Sequence, residues 1–125
     1  MLIPEAEYAY LVDEIWNGKP SSDAAVHGTF VSSDGILDGG STLHVRHLCD
    51  CRNRGHGTRT ANPHNIHVGF PDDHPWKGRT GLNLNTHYTH SQHFGSALFR
   101  RVGIPMPDSR PECATIRVLH EAKAP

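Results

Sequence analysis

The sequence has few apolar residues and no long hydrophobic run. Hydrophobic residues make up only 36% of its 125 positions, and the mean hydropathy is -0.52. No stretch approaches the ~18 apolar residues of a membrane helix, so we expect no membrane-spanning segment. The chain does not open with a basic stretch followed by an apolar one, so we expect no secretory signal. A chain of 125 residues predicts one domain, residues 1–125.

Cysteine is also scarce. The chain has three cysteines, Cys49, Cys51 and Cys113, and an odd number argues against a disulfide framework. Cys49 and Cys51 are too close in sequence to bridge each other easily, and many histidines lie near them. Metal ligation is therefore the better interpretation of this pair. Free thiols suit a reducing compartment, so we expect an intracellular protein, cytoplasmic or nuclear.

Histidine, in contrast, is abundant, with 11 residues, nine of which lie between His44 and His93. The same part of the chain is basic. Residues 46–101 hold eight bases and three acids, a net charge of +5, whereas residues 1–45 hold one base and seven acids, a net charge of -6. The overall charge of -1 hides this division. A basic segment favours a phosphate-bearing partner such as DNA, and a solvated basic loop is the alternative interpretation.

Apolar periodicity and turn residues predict an α+β chain. The expected elements are a helix over 4–16, antiparallel strands over 27–31 and 42–48, a polar loop over 49–60, a short extended segment within 61–70, polar turns with helical character at 73–77, a helix over 90–102 and a strand over 115–120. No internal repeat and no linker divides the chain.

The residue types that follow the second predicted strand suit phosphodiester chemistry. A histidine at a strand end can deprotonate water near neutral pH, because imidazole has a pKa of about 6.5. A hard cation needs few protein ligands and leaves positions open for phosphate oxygens. Cysteine and histidine ligands nearby can hold a structural zinc ion that compensates for a small core. Together these groups indicate metal-assisted phosphodiester hydrolysis.

One stretch resembles a known family. The run from Val45 to Cys49 (VRHLC), followed by Asn62-Pro63 and an apolar residue at Ile66, resembles the HLC…NP box of His-Cys-box homing endonucleases and related HNH enzymes. Both belong to the ββα-metal, or His-Me finger, superfamily. The run from Asp72 to Arg79 (DDHPWKGR) is similar to the stretch that follows this box. The resemblance covers about residues 41–80. It implies a small ββα-metal core with an N-terminal helix, an antiparallel strand pair and a zinc-stapled loop region.

The resemblance also implies roles for individual residues. His47 would be the general base, His74 the ligand of a single catalytic Mg²⁺ or Mn²⁺ ion, and Asn65 the residue that orients the base-bearing loop. The candidate ligands of a structural Zn²⁺ ion are Cys49, Cys51, His64 and His67. The candidate DNA-contacting residues are Arg46, Arg52, Arg54, Lys77 and Arg79.

The sequence departs from the family pattern at the zinc ligands. Ala61 stands where the family has its second cysteine, and Asn65 stands where it has its zinc histidine. His56 and Cys113 are therefore further candidates for the zinc site. His74 stands where the family usually has asparagine, a change that would favour softer ions such as Mn²⁺.

The implied function is a metal-dependent endonuclease acting on double-stranded DNA. A homodimer would supply two cuts and a longer site. A second hypothesis is a zinc-stabilised DNA-binding module that lacks catalysis, supported by the histidine at position 74. A third is a small cupin-like metalloenzyme, suggested by Gly39-Gly40 with His44 and His47, although the expected His-x-His pair and following glutamate are missing.

Overall fold

The structure, a computed structural model, describes residues 1–34, 42–107, 109 and 114–120. These residues form a mixed α+β fold with one six-stranded sheet and two α-helices. In chain order the elements are β1 (Leu2–Pro4), α1 (Glu5–Tyr10), a π-helical continuation (Leu11–Trp16), β2 (Ala25–Asp34), β3 (Thr42–Asn53), β4 (Ile66–Gly69), β5 (Gly81–Leu84), α2 (Thr89–Arg101) and β6 (Arg117–Leu119). The strand order across the sheet is β5-β4-β3-β2-β1-β6. β1 and β6 pair in parallel, and the other neighbours pair antiparallel.

The amphipathic N-terminal segment is helical from Glu5 to Trp16, as predicted, although its second half is π-helical. The helix starts after Pro4, whose φ of -56° suits the residue that precedes a first turn. Leu11 and Ile15 point inward and are 0% and 1% exposed. They join the sheet residue Val26 in the hydrophobic core. Burial of these apolar side chains is what holds the helix on the sheet.

The predicted antiparallel strand pair is confirmed, with β2 paired to β3 along most of its length. The predicted loop over 49–60 is wrong in its first part, because β3 continues to Asn53. Cys49, Cys51 and Asn53 alternate inward and are buried, and their strand is paired on both sides. This part of β3 lacks the usual alternation of branched aliphatic residues, because its inward positions hold cysteine and asparagine.

The second half of the chain follows the prediction in part. β4 forms within the expected extended segment, and α2 and β6 match the predicted helix and last strand. β5 forms where no element was predicted, and its Leu82 and Leu84 alternate with glycine and asparagine. The helical character expected at 73–77 is absent, because this segment forms turns closed by an antiparallel bridge between Trp76 and Arg79.

α2 has the predicted apolar face, but that face is not in the core. Phe94, Leu98 and Val102 are 68%, 47% and 67% exposed. Over the described part of the chain, no helix has the length and apolar character needed to cross a membrane. Gly39-Gly40, which prompted the cupin-like hypothesis, and the zinc candidate Cys113 lie outside the described residues.

Candidate active site

The predicted base, His47, lies where the β2–β3 ladder is irregular. Gly28 pairs with Cys49 and Phe30 pairs with Arg46, so the register shifts by one residue between them. Thr29 is therefore opposed by two residues of β3, His47 and Leu48, which is a β-bulge. Leu48 takes a left-handed backbone conformation with a φ of 54° to accommodate the extra residue. The bulge re-aims the side chain of His47, which is exposed.

His47 and His74 line the same cleft. The cleft has a volume of about 320 Å³ and lies between the bulged part of β3 and the segment that follows β4. Its lining residues are Val45, Arg46, His47, Leu48, Pro71, Asp73 and His74. Two histidines that the family resemblance assigns to one catalytic site, from segments far apart in the chain, thus line one cleft.

Aromatic packing anchors the turn segment that carries His74 to the sheet. Trp76 packs against Phe30 and Phe70, with ring centroids 5.4 Å and 6.0 Å away. Its indole Nε1 donates a hydrogen bond of 2.8 Å to Ser32 Oγ on β2. These contacts fix the turn against the strand pair, so the position of His74 relative to His47 depends on packing well away from either ring.

Polar contacts tie the same turn to the strands. Arg46 Nε donates to the carbonyl oxygen of Pro75 at 3.1 Å, which links β3 to the turn directly. Lys77 Nζ donates to Asp34 Oδ1, and His44 Nε2 lies 3.0 Å from Asp34 Oδ2. The hydrogen bonds from Lys77 and His44 hold the pKa of Asp34 below its usual value. Arg46 and Lys77 thus serve as structural links on this side of the cleft.

His74 is paired with a carboxylate. Its Nδ1 atom lies 3.1 Å from Oδ2 of Asp73, and both side chains are more than 70% exposed. Metal-binding histidines commonly use one ring nitrogen for a carboxylate and the other for the ion. The donor chemistry of His74 and Asp73 therefore fits a divalent cation whose remaining ligands would be water and phosphate oxygens. The resemblance gave Asp73 no role, although it is adjacent to His74 in the sequence.

The four zinc candidates are not brought together. Cys49 and Cys51 are fully buried on the inner face of β3, and burial raises the pKa of the Cys51 thiol to about 12. His64 stacks on Trp16 with ring centroids 4.5 Å apart. His67 Nδ1 lies 2.8 Å from Asn83 Oδ1 on β5. Within residues 1–34, 42–107, 109 and 114–120, no three His, Cys, Asp or Glu side chains lie close enough to hold a metal ion.

Hydrogen bonds, rather than clustered thiols and imidazoles, hold the segment between β3 and β4. The guanidinium of Arg59 donates to the carbonyl oxygens of Gly55, Ser21 and Ser22 and to Asp23 Oδ1. The buried Asn53 amide donates to the carbonyl oxygen of Arg59 itself at 3.1 Å. This network joins the segment to the chain that leads into β2. Arg59 is not among the functional residues predicted from the sequence.

Asn65, the predicted orienting residue, lies within the same region of the fold. It is 7% exposed, and its amide Nδ2 donates to Thr58 Oγ1 at 3.1 Å. Its Oδ1 accepts from the backbone N–H and the hydroxyl of Thr86. Its hydrogen bonds therefore connect the segment before β4 with the segment after β5. None of them reaches His47.

The five predicted DNA-contacting residues differ in the contacts that they make within the protein. Arg46 and Lys77 make the structural contacts described above. Arg54 donates to Asn85 Oδ1 at 2.6 Å. Arg52 and Arg79 are exposed, and Arg79 also forms the bridge with Trp76.

The fold and the site define an α+β protein with a two-histidine cleft beside a bulged strand. Comparisons with family models, with curated proteins and with solved structures each found no match.

Proposed function

We propose that this protein is a metal-dependent endonuclease that hydrolyses phosphodiester bonds in double-stranded DNA. The observation that supports the proposal is the shared cleft of His47 and His74. The resemblance assigns these two residues to one active site, as base and as metal ligand. The same resemblance is the basis for proposing that this site belongs to a ββα-metal core like that of known nucleases.

His47 is the proposed general base. Its ring is exposed and lines the cleft, so a water molecule beside the scissile phosphate can reach it. A neutral imidazole takes the proton from that water as the oxygen attacks phosphorus. General-base catalysis of this kind contributes roughly 10²- to 10⁴-fold to a rate.

His74 is the proposed ligand of a Mg²⁺ or Mn²⁺ ion, and Asp73 holds its ring in place through Nδ1. The ion, when bound, stabilises negative charge on the phosphate oxygens and on the leaving oxygen. Arg52 and Arg79 are exposed, and we assign them to the DNA backbone. Arg46 acts on the same site by fixing the turn that carries His74.

The test is plasmid nicking with Mg²⁺ or Mn²⁺, comparing the wild type with His47→Ala and His74→Ala. His27→Ala is a matched control, because His27 is an exposed histidine on β2 that does not line the cleft. We expect both cleft variants to lose at least ~10²-fold in cleavage rate and the control to retain it. Cleavage that survives His47→Ala would remove His47 as the base.

A DNA-binding module without catalysis is the competing outcome of the same experiment. It predicts DNA binding with no cleavage in any metal. The cupin-like alternative predicts neither activity and requires a double-sheeted jelly roll, whereas the described strands form one sheet.

Structural zinc at Cys49 and Cys51 stays a prediction from the resemblance. Both thiols are free of disulfides among the described residues. The proposed intracellular location rests on the small, odd number of cysteines in the sequence. Elemental analysis of the purified protein tests the zinc prediction: one equivalent of zinc per chain supports it, and absence of zinc contradicts it.

Light scattering tests the proposed homodimer, because the mass of one chain is 13.8 kDa.

A further inference from the structure

We propose that Thr29 is a positioning residue for His47 and decides which ring nitrogen faces the cleft. The inference rests on the proposed function for its consequence in catalysis, but the positioning itself is a property of the folded protein. The hydroxyl Oγ1 of Thr29 lies 3.2 Å from His47 Nδ1. Among the described residues, His47 Nε2 has no hydrogen-bond partner.

The β-bulge creates this contact. In a regular antiparallel ladder one residue of β3 would face Thr29, but here His47 and Leu48 share that place. The side chain of His47 is turned on the exposed face of the sheet toward the hydroxyl of its cross-strand neighbour. Because Thr29 is β-branched, its hydroxyl has few rotamers and is a well-defined partner.

The contact has a chemical consequence. A histidine acts as a base only through an unprotonated ring nitrogen, and the tautomer is set by the hydrogen bond that the other nitrogen makes. With Nδ1 held at Thr29, the nitrogen available to water is Nε2. A threonine hydroxyl can donate or accept, so the 3.2 Å contact by itself suits either tautomer. The proposed arrangement is the one in which Thr29 Oγ1 accepts from Nδ1–H, which leaves Nε2 unprotonated and able to act as a base.

The tautomer can be measured directly by ¹⁵N NMR of the imidazole, at a pH where the ring is neutral. The His47 signals are assigned by comparison with His47→Gln. We expect the wild type and Thr29→Ser, which keeps the hydroxyl, to carry the proton on Nδ1. We expect Thr29→Val, which has a similar shape but no hydroxyl, to shift the proton toward Nε2. Ser33→Ala, an exposed hydroxyl on the same strand, is the matched control.

Cleavage kinetics give the second measurement. Loss of one neutral hydrogen bond that holds the base predicts about a tenfold fall in kcat for Thr29→Val. KM should be unchanged, with kcat restored in Thr29→Ser. A wild-type ring protonated on Nε2, or a Thr29→Val spectrum identical to the wild type, would overturn the proposal. Since the NMR result needs no activity, failure of the nuclease assignment is distinguishable from failure of the positioning role.

Discussion

The role of Arg59 in holding the segment between β3 and β4 can be tested by its removal. The guanidinium donates hydrogen bonds of 2.6, 2.6 and 3.0 Å to the carbonyl oxygens of Gly55, Ser21 and Ser22. Hydrogen bonds from a charged donor each contribute about 1.5–3 kcal/mol, and less where water replaces the donor. The Arg59 side chain is 21% exposed, so water recovers part of the loss. Arg59→Ala should therefore lower the free energy of unfolding by about 2–3 kcal/mol.

The assay is urea unfolding followed by circular dichroism, with thermal unfolding in parallel. For a chain of this size, the expected loss corresponds to a fall in Tm of roughly 8–12 °C. Arg52→Ala is the matched control, because it removes the same charge from an exposed position on β3 and should change stability by no more than about 0.5 kcal/mol. Arg59→Lys keeps the charge but loses the planar fork, so most of the destabilisation should remain.

Two results would contradict the proposed role of Arg59. Equal stabilities of Arg59→Ala and Arg52→Ala would show that the network contributes nothing beyond surface charge. Full stability of Arg59→Lys would show that charge, rather than geometry, holds the segment. Repeating the unfolding with EDTA measures any contribution of bound metal separately.

Three further predictions follow from burial and from shifted pKa values. The pKa of Asp34 is held below its ordinary value of 3.8 by its hydrogen bond from Lys77, so its contribution to stability is present above about pH 4 and is lost as the pH falls below. Acid unfolding should therefore show a smaller loss of stability in Asp34→Asn than in the wild type, and equal losses would contradict the contact. The buried thiols of Cys49 and Cys51 have raised pKa values, so mass spectrometry should find them unmodified by iodoacetamide at pH 8 until urea unfolds the chain. Ile15→Ala should cost about 2–5 kcal/mol in urea unfolding, because the side chain is 1% exposed in the core, and a loss below 1 kcal/mol would show that the helix is loosely packed.

Much of the secondary structure could be predicted from local patterns. The N-terminal helix, the strand pair and α2 each carry an apolar period that a single segment reveals. The extension of β3 through Asn53 could not be predicted, because its inward positions are polar or sulfur-containing residues whose burial depends on both neighbouring strands. β5 has only two leucines among glycine and asparagine, and it forms because β4 offers a free edge for pairing.

The candidate site divides in the same way. His47 and His74 were identified by their place in a family-like motif, and both line one cleft in the structure. The zinc set rested on the family resemblance and on closeness in sequence. In the structure β3 directs Cys49 and Cys51 into the core, while His64 stacks on Trp16 and His67 lies beside Asn83. Thr29 had no signal in the sequence, because its place opposite His47 depends on the position of a β-bulge.

The order of residues alone specifies where the groups capable of chemistry lie: in a histidine-rich, basic segment that follows an acidic N-terminal part. It also determined the amphipathic helix and the strand pair, because those patterns are local. Which of the histidines line one cleft depends on long-range packing. The packing of Trp76 beneath the turn and the hydrogen bond from Arg46 to Pro75 place His74 on the same cleft as His47. Such contacts join distant segments, and their energies arise only once the chain has folded.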